Sequence, residues 1–413
     1  MTWSGIWITG EPASGKTTLA RRLARLIPSA SLLDGDEVRQ TLTADCDFSA
    51  QGRRTHVLRV AAAARKVREE GRLPIVALVS PTEVVRQAAY TILGPSPLVI
   101  ALEAPLEVRE QRAQAAGRPL DPALDFPYEP SPAPTISLDT SCPPQPLELA
   151  CAIVLRLLAA PPTILQQRWV HLHHRCASSW WRGVLCHLPA SLVLHGGLNW
   201  YGDPPTRREV ADLKGYAVVP GGNARWETLA HLDALYGRAW RSIHVYRDPR
   251  DLLVSAYYSH RYSHPEELLP ELERYRPRLH TVSVEDGLLL DLEFYLTKLA
   301  IETILDWPDH PRVLPIPYEQ MFRSESSVRA WTALALRWLQ IEAPDVEGYL
   351  QTHTFDQLAQ GRVRGREDSH SHYHRGTPGA WREAFTPRVA EIFSARYGVQ
   401  LAALGYEEEE GQR

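Results

Sequence analysis

No basic excess, no long apolar run and no paired-cysteine spacing occur in this chain, and each absence removes a class of function. Lys and Arg number 45 against 49 Asp and Glu, a formal net charge of −4. No bulk positive surface therefore argues for nucleic acid, and any anion site must be built locally. The five cysteines (Cys46, Cys142, Cys151, Cys176 and Cys186) are scattered, odd in number and never spaced C-x-x-C. That pattern argues against a disulfide framework and against a thiolate zinc site, and makes a reducing cytoplasm the expected location. The most apolar stretch, around Ala150 to Ala160, contains Arg156 and falls short of the roughly 20 residues that span a bilayer, so no membrane partner is expected. The opening residues, Met1 to Ile8, read as a strand and not as a signal peptide.

What is present suffices for two domains: 413 residues, 44% apolar and 23% charged, allow each half its own core. Short apolar runs at Gly5–Thr9, Ser31–Leu33, Leu73–Val79 and Leu98–Leu102 read as strands. Between and after them Lys16–Leu26, Arg53–Glu70, Glu83–Leu93 and Leu106–Ala116 read as helices, an alternation that implies βαβ units and a parallel sheet. A Pro-rich stretch from Pro119 to Pro146 leads into a helix at Leu147–Ala159 that stops at Pro161-Pro162. The alternation then restarts with strands at Trp169–His173 and Ser242–Tyr246, followed by helices from Ser178 and Asp251. The expected class is α/β: two P-loop-type three-layer α/β/α domains, 1–160 and 161–413, each with a mostly parallel central sheet. The Glu407–Glu410 run reads as a solvated tail.

Gly10-Glu11-Pro12-Ala13-Ser14-Gly15-Lys16-Thr17 fits G-x-x-x-x-G-K-[ST] in full, between an apolar strand and an amphipathic helix. The glycines let backbone N–H groups curl around a diphosphate, Lys16 reaches the outer phosphates, and the Thr17 hydroxyl can ligate Mg²⁺. The next segment, Leu32-Leu33-Asp34-Gly35-Asp36-Glu37-Val38-Arg39, resembles the L-D-G-D-N-[VI]-R motif of adenylylsulfate (APS) kinases. Asp45-Cys46-Asp47-Phe48-Ser49, Arg53, Ser80-Pro81 with Arg86, Pro105-Leu106-Glu107-Val108 with Arg112, and Pro127-Tyr128-Glu129-Pro130 follow in the family's order. The resemblance covers about residues 5 to 140. It implies transfer of the ATP γ-phosphate to the 3′-hydroxyl of APS, giving PAPS. By that likeness Gly10, Ser14, Gly15, Lys16, Thr17, Thr18 and Arg112 bind ATP. Asp34, Arg39, Phe48, Arg53 and Ser80 bind APS, Lys16 and Asp36 are catalytic, and Thr17 and Asp36 hold Mg²⁺. The chain departs from the family at His56 and Leu58, and the family's Lys-rich lid is absent or collapsed to Ala113–Pro119.

In the second half, Trp169 to Trp180 runs from a strand through His173-His174-Arg175-Cys176-Ala177-Ser178-Ser179 to a helix start. It resembles the P-K-S-G-T-T-W phosphosulfate loop of PAPS-dependent sulfotransferases, with Arg175 in place of the lysine. Arg247-Asp248-Pro249-Arg250-Asp251 followed by Val254-Ser255-Ala256-Tyr257-Tyr258 resembles that family's R-[DN]-P-[RK]-D-x-x-V-S-x-[YF]-[YF] signature, and Arg375-Gly376 with Gly379 and Trp381 resembles its late R-K-G-x-x-G-D-W segment. The likeness implies that Arg175, Cys176, Ala177, Ser178, Ser179, Trp180, Arg247, Ser255, Arg375 and Gly376 bind PAPS. Asp248 and Asp251 read as partners of arginines or as helix caps.

The acceptor base is less legible. The family usually carries a His about two dozen residues before the signature arginine, but Val219 to Trp226 contains none. His231 is nearest in sequence and is the expected base, with His195, His260 and His264 as other candidates. His370, His372 and His374 alternate but read as a loop and not as a metal site. Three readings follow: a bifunctional enzyme making PAPS and passing its sulfuryl group to a small-molecule acceptor; a sulfotransferase with a degenerate, regulatory kinase-like domain; or a kinase for another hydroxylated substrate. The expected partners are APS, ATP, PAPS and an acceptor, with a homodimer left open.

Overall fold

Strand β1 (Ile6–Gly10) is buried at every position, which explains its unbroken apolar start: a parallel strand covered on both faces has no solvated side. The computed structural model describes residues 3–118, 120, 127–161, 163–187, 198–199, 205–213, 219–222, 224–342, 346–368, 370–371 and 375–406. Two units make up the chain, Met1–Pro162 and Thr163–Arg413. Both are α/β with a five-stranded sheet in which every pair of neighbours is parallel. No helix among the described residues is long and apolar enough to cross a membrane.

In the first unit β2 (Ala30–Asp34), β3 (Leu73–Ala77), β4 (Leu98–Glu103) and β5 (Ile136–Asp139) join β1 in the order β2-β3-β1-β4-β5. Helices Ala50–Glu69 and Glu83–Leu93 pack together over one face, where Trp7 and Val76 meet Val57, Val60, Val85 and Ala89. Their sequence neighbours Ile6, Ile8 and Ile75 are fully buried on the opposite face, as strand alternation requires. Helix Ala50–Glu69 begins three residues before the position expected from the pattern, because Ser49 caps it: its Oγ accepts from Gly52 N at 3.0 Å.

In the second unit β6 (Gln167–His171), β7 (Leu198–Asn199), β8 (Val219–Gly222), β9 (Trp240–Tyr246) and β10 (Val313–Pro317) run in the order β10-β9-β6-β8-β7. β6 stops at His171, two residues short of the expectation. The chain then turns, and the Leu172 carbonyl accepts from Ala224 N at 2.7 Å. Helix Pro249–Tyr258 is buried along nearly its whole length among Leu288, Ala300, Ile301, Phe393 and Tyr397. In both units the central strand, β1 or β6, opens at its carboxyl end into a loop and a helix start, the usual ligand position in doubly wound sheets.

Candidate functional site

In the first unit the Gly10–Gly15 loop is shaped by residues with positive φ: Gly10 at 151°, Ala13 at 60° and Gly15 at 95°. A Cβ on Gly10 would lie 2.2 Å from the Leu102 carbonyl oxygen, so only glycine fits there. The helix that follows, Lys16–Leu26, has no side-chain cap and no acidic residue in its first turn. Its first amides and the positive end of its dipole are thus left for an anion. Lys16 Nζ donates to the Glu11 carbonyl at 2.6 Å. Burial pushes its ammonium down to about 8, against the opposing pull of Asp36 and Asp34. Ser14 is buried, while Thr18 is exposed. Arg112 does not point to solvent. It donates to Thr140 Oγ1 at 2.7 Å and to Thr140 O at 2.8 Å, and Thr140 Oγ1 donates to Ser14 O at 3.1 Å, so the arginine braces the loop from behind.

Thr17 Oγ1 donates to Asp34 Oδ2 at 2.7 Å. The carboxylate set against the threonine is therefore Asp34, which is buried, and not Asp36. The latter projects outward, 3.5 Å from Arg118. The reason is local: Asp34 caps the short helix Gly35–Arg39, its Oδ1 accepting from Asp36 N at 3.1 Å, and so faces back toward the loop. Phe48 is half exposed, with the Arg39 guanidinium 4.4 Å and the Arg53 guanidinium 5.4 Å from its ring centre. Arg53 Nε holds the Phe48 carbonyl at 2.9 Å and Arg39 the Cys46 carbonyl at 3.1 Å. Burial, then the charge of Arg53, lowers the Arg39 pKa. Two like charges fixed around one ring favour an anion between them. His56 is buried, bonded to Thr43 Oγ1 at 2.7 Å, and pushed down to about 4 by burial and by Arg39 and Arg53, so it stays neutral. Ser80 is buried: its Oγ accepts from Trp7 Nε1 at 3.2 Å, and Arg86 holds its carbonyl at 2.8 Å.

In the second unit the loop after β6 places two non-glycine residues at positive φ, Arg175 at 62° and Ala177 at 58°. It ends at helix Ser178–Cys186, again with no side-chain cap and no acidic residue in the first turn. Arg175 Nε donates to Ser255 Oγ at 3.0 Å, tying this loop to helix Pro249–Tyr258. Arg247, just past β9, lies over the Tyr318 ring at 4.4 Å and 3.9 Å from Asp251. Its Nε is buried with no hydrogen-bond partner. An orphaned guanidinium nitrogen in a buried wall is costly unless an anion completes it.

Asp251 accepts from Gly379 N at 2.6 Å and Trp381 N at 3.0 Å, which fastens the late loop beside the arginine. Asp248 caps the helix and pairs with Arg250. Gly376 has φ 70°, and a Cβ there would strike the Phe355 ring at 2.0 Å. Arg375 is ion-paired with Glu367 and Glu383 at 3.2 and 2.6 Å. One cavity of about 500 Å³ collects Arg175, Ala177, Ser178, Ser179, Trp180, Arg247, Ser255, Arg375 and Gly376. Cys176 is the exception among the expected residues: its side chain turns away from the cavity into the core and is fully buried.

His231 is not in that wall. It sits on helix Thr228–Tyr236, whose apolar face packs against Trp169, Val210 and Trp240, so nearness in sequence did not bring it to the site. The histidines that do line the cavity are His173, His174, His264 and His353. His195, His372, His374, Pro119 and Glu407–Glu410 lie outside the described residues. Among the described residues no group of three His, Cys, Asp or Glu side chains could hold a metal ion. Tyr318, Phe355 and Arg364 also line the cavity, yet no local motif marked them. They follow β10, whose two prolines hide it as a strand.

The adenylylsulphate kinase family profile matches residues 3–116, and the sulfotransferase domain profile matches residues 230–405. The adenylyl-sulfate kinase of Halothermothrix orenii is 33% identical over 147 residues, covering 33% of this chain and 79% of the relative. That of Chloroflexus aurantiacus is 38% identical over 111 residues, covering 26% of this chain and 59% of the relative. The chain thus spans about three fifths of the length of the Chloroflexus relative, and the same share of a chloroplastic Arabidopsis thaliana one. A mouse sulfotransferase solved with PAP covers 58% of this chain and 86% of its own at 17% identity, with a TM-score of 0.38. Two uncapped helix starts fall one in each unit, and the chain belongs to the adenylyl-sulfate kinase family through its first unit, while its second unit matches the sulfotransferase domain profile over residues 230–405.

Proposed function

We propose that the chain is a bifunctional enzyme: its first unit phosphorylates APS at the 3′-hydroxyl with ATP to give PAPS, and its second transfers the sulfuryl group of PAPS to a small-molecule acceptor. The observation that carries this reading is the convergence of Arg175, Ser255 and the unpaired Arg247 Nε on one cavity, in a chain whose other unit carries the complete phosphate loop. In the first unit Lys16 and the first amides of its helix hold the transferring phosphates, and Arg39, Phe48 and Arg53 take the adenylylsulfate. Asp36 lies close enough for its charge to act on both Lys16 and Arg39, a position suited to the accepting hydroxyl. Phosphoryl transfer asks mainly for positioning and charge, which this set supplies.

The Thr17 hydroxyl and the Asp34 carboxylate form a hard oxygen pair that fits Mg²⁺, which takes few protein ligands and keeps its waters. When bound, the ion neutralises charge on the outer phosphates. In the second unit Arg175, Ser178 and Ser179 hold the phosphosulfate, and Arg247, Ser255 and the Arg375–Gly376 turn hold the 3′-phosphate. Covalent linkage raises the effective concentration of one unit's product at the other. None of the five cysteines forms a disulfide, in keeping with a reducing cytoplasm.

Incubation with ATP, Mg²⁺ and labelled APS is expected to yield labelled PAPS. Lys16→Ala should abolish that step and leave PAPS-fed sulfation intact, and Arg247→Ala should do the reverse. Loss of both activities from either substitution in a folded protein would sink the two-site reading. Sulfation from supplied PAPS without any PAPS synthesis would favour the second reading, which the missing lid lysines motivate.

A further inference from the structure

Helix Leu106–Ala115 carries two arginines with different partners. Arg112 is bound to Thr140, behind the phosphate loop. Arg109, three residues earlier, turns to the loop itself: its Nη2 donates to Glu11 Oε1 at 2.9 Å, and its Nε donates to the Ala104 carbonyl at 3.2 Å. Glu11 is the second residue of the loop, and its own carbonyl accepts from Lys16 Nζ at 2.6 Å. One residue thus holds two cations, Lys16 on its carbonyl and Arg109 on its carboxylate. The Arg109 guanidinium lies close enough for its charge to act on the Lys16 ammonium.

Nothing in the helix asks for a cation at this position. Arg109 is its fourth residue, near the positive end of the dipole, where a positive side chain is disfavoured. The Arg109 side chain is 8% exposed and that of Glu11 36%. A nearly buried guanidinium therefore leans on a carboxylate that water still reaches, an arrangement that contributes little stability. The carboxylate is equally ill placed in a loop whose amides curl around phosphates, because it repels them. A guanidinium offers five N–H donors, and described residues use two of them here. A phosphate group accepts the same fork as a carboxylate and carries more charge. Arg109 also sits on the helix that leads into Ala113–Pro119, where the lysine-rich lid is missing.

We propose that Arg109 is a phosphate-binding residue of the ATP site, exchanging the Glu11 carboxylate for a phosphate oxygen when nucleotide binds. This rests on the reading of the first unit as an ATP-dependent kinase. Lys16 leaves the Glu11 carbonyl and Arg109 leaves the carboxylate, so both cations pass from one residue to the nucleotide. Glu11 is then the competitor that sets how tightly ATP is held, and its released carboxylate turns to the water that already reaches it.

The test measures binding of β,γ-imido-ATP with Mg²⁺ to the full chain by calorimetry. Arg109→Met should raise the dissociation constant by about 10- to 100-fold, the scale of one lost charge-assisted bond. Glu11→Gln should lower it by about 2- to 5-fold, the worth of a partly exposed ion pair. The double variant separates contact from charge balance. If Arg109 touches phosphate, Arg109→Met weakens binding by the same factor in the Glu11→Gln background. If it only cancels the Glu11 charge, the double variant binds as tightly as Glu11→Gln alone, and the proposal is overturned. Because Arg109→Met can disturb the loop, a crystal structure of the unmutated chain with β,γ-imido-ATP gives a second readout. Arg109 within hydrogen-bond distance of a phosphate oxygen supports the proposal, and Arg109 still on Glu11 overturns it. An unmutated chain that bound no β,γ-imido-ATP would defeat the kinase reading itself, and the proposal with it.

Discussion

One arginine and one lysine carry much of the charge chemistry, and each is held by a different device. Arg247 is sandwiched between Tyr318 and Asp251 with one nitrogen left over. A lysine would supply the charge but not the fork, so Arg247→Lys should weaken PAP binding by about 10- to 100-fold in calorimetry, the scale of one lost charge-assisted bond. Lys16 is set by its surroundings in the other direction. With its ammonium pushed down to about 8, the empty site is charged below that pH and loses its proton above it. Phosphate binding favours the charged form, so the KM for ATP should stay flat below about pH 8 and rise above it. Lys16→Arg, if it still turns over, should remove that limb. Each was legible because it lies at a strand–loop–helix corner whose residues follow one another within a few positions. The family likeness pairs Asp36 with Thr17, whereas the structure sets Asp34 against that hydroxyl: two carboxylates two residues apart match the same pattern, and only the direction of the cap decides which faces Thr17.

At the level of elements, the helix start after β1 was readable from an apolar run ending in a glycine-rich loop, and the one after β6 from its resemblance to a phosphosulfate loop. β10 was not. Its V-L-P-I-P sequence lacks two backbone donors and could pair only where one side of the strand is free, and it forms the edge of the sheet beside β9. β8 carries Pro220 and two glycines, which hide it equally well. The late loop shows how tightly an irregular segment can be specified. Gly376 sits at φ 70° against Phe355, and Asp251 fastens the turn beyond it. Gly376→Ala should therefore distort the loop, at a cost of about 1–3 kcal/mol locally, and raise the PAP dissociation constant while circular dichroism stays unchanged. Unaltered PAP affinity would mean that this loop is not part of the donor site.

For the molecule as a whole, the two units carry different acid sensitivities. The second unit buries His171 and His173, joined to Ser242, Thr228, His244 and Thr303, with His171 tilted and His173 edge-on against Trp307. Burial pushes His171 and His173 down to about 3 and His244 well below its ordinary value. A histidine whose folded pKa lies below its unfolded one is neutral in the native state, so its contribution is complete above about pH 6.5 and is lost as pH falls toward the folded value. Between pH 7 and pH 5 His171 and His173 should each cost the second unit on the order of 2 kcal/mol, only partly offset by buried Glu319, which burial pushes up to about 8 and which gains stability as pH falls. The first unit has the one corresponding group, His56 at about 4, and should lose less. Differential scanning calorimetry at the two pH values should show the transition of the second unit moving further. Equal movement of both transitions would contradict this account.

Cys176 offers a use that follows from its placement. Its sulfur is sealed beneath the loop backbone, and burial raises its thiol pKa, whereas Cys186, at the far end of the helix that the loop begins, is exposed. An alkylating reagent should modify Cys186 at once and Cys176 only when the loop lifts. The ratio of the two labels by mass spectrometry therefore clocks loop opening with native atoms, and a nucleotide seated in the cavity should slow the second label without touching the first.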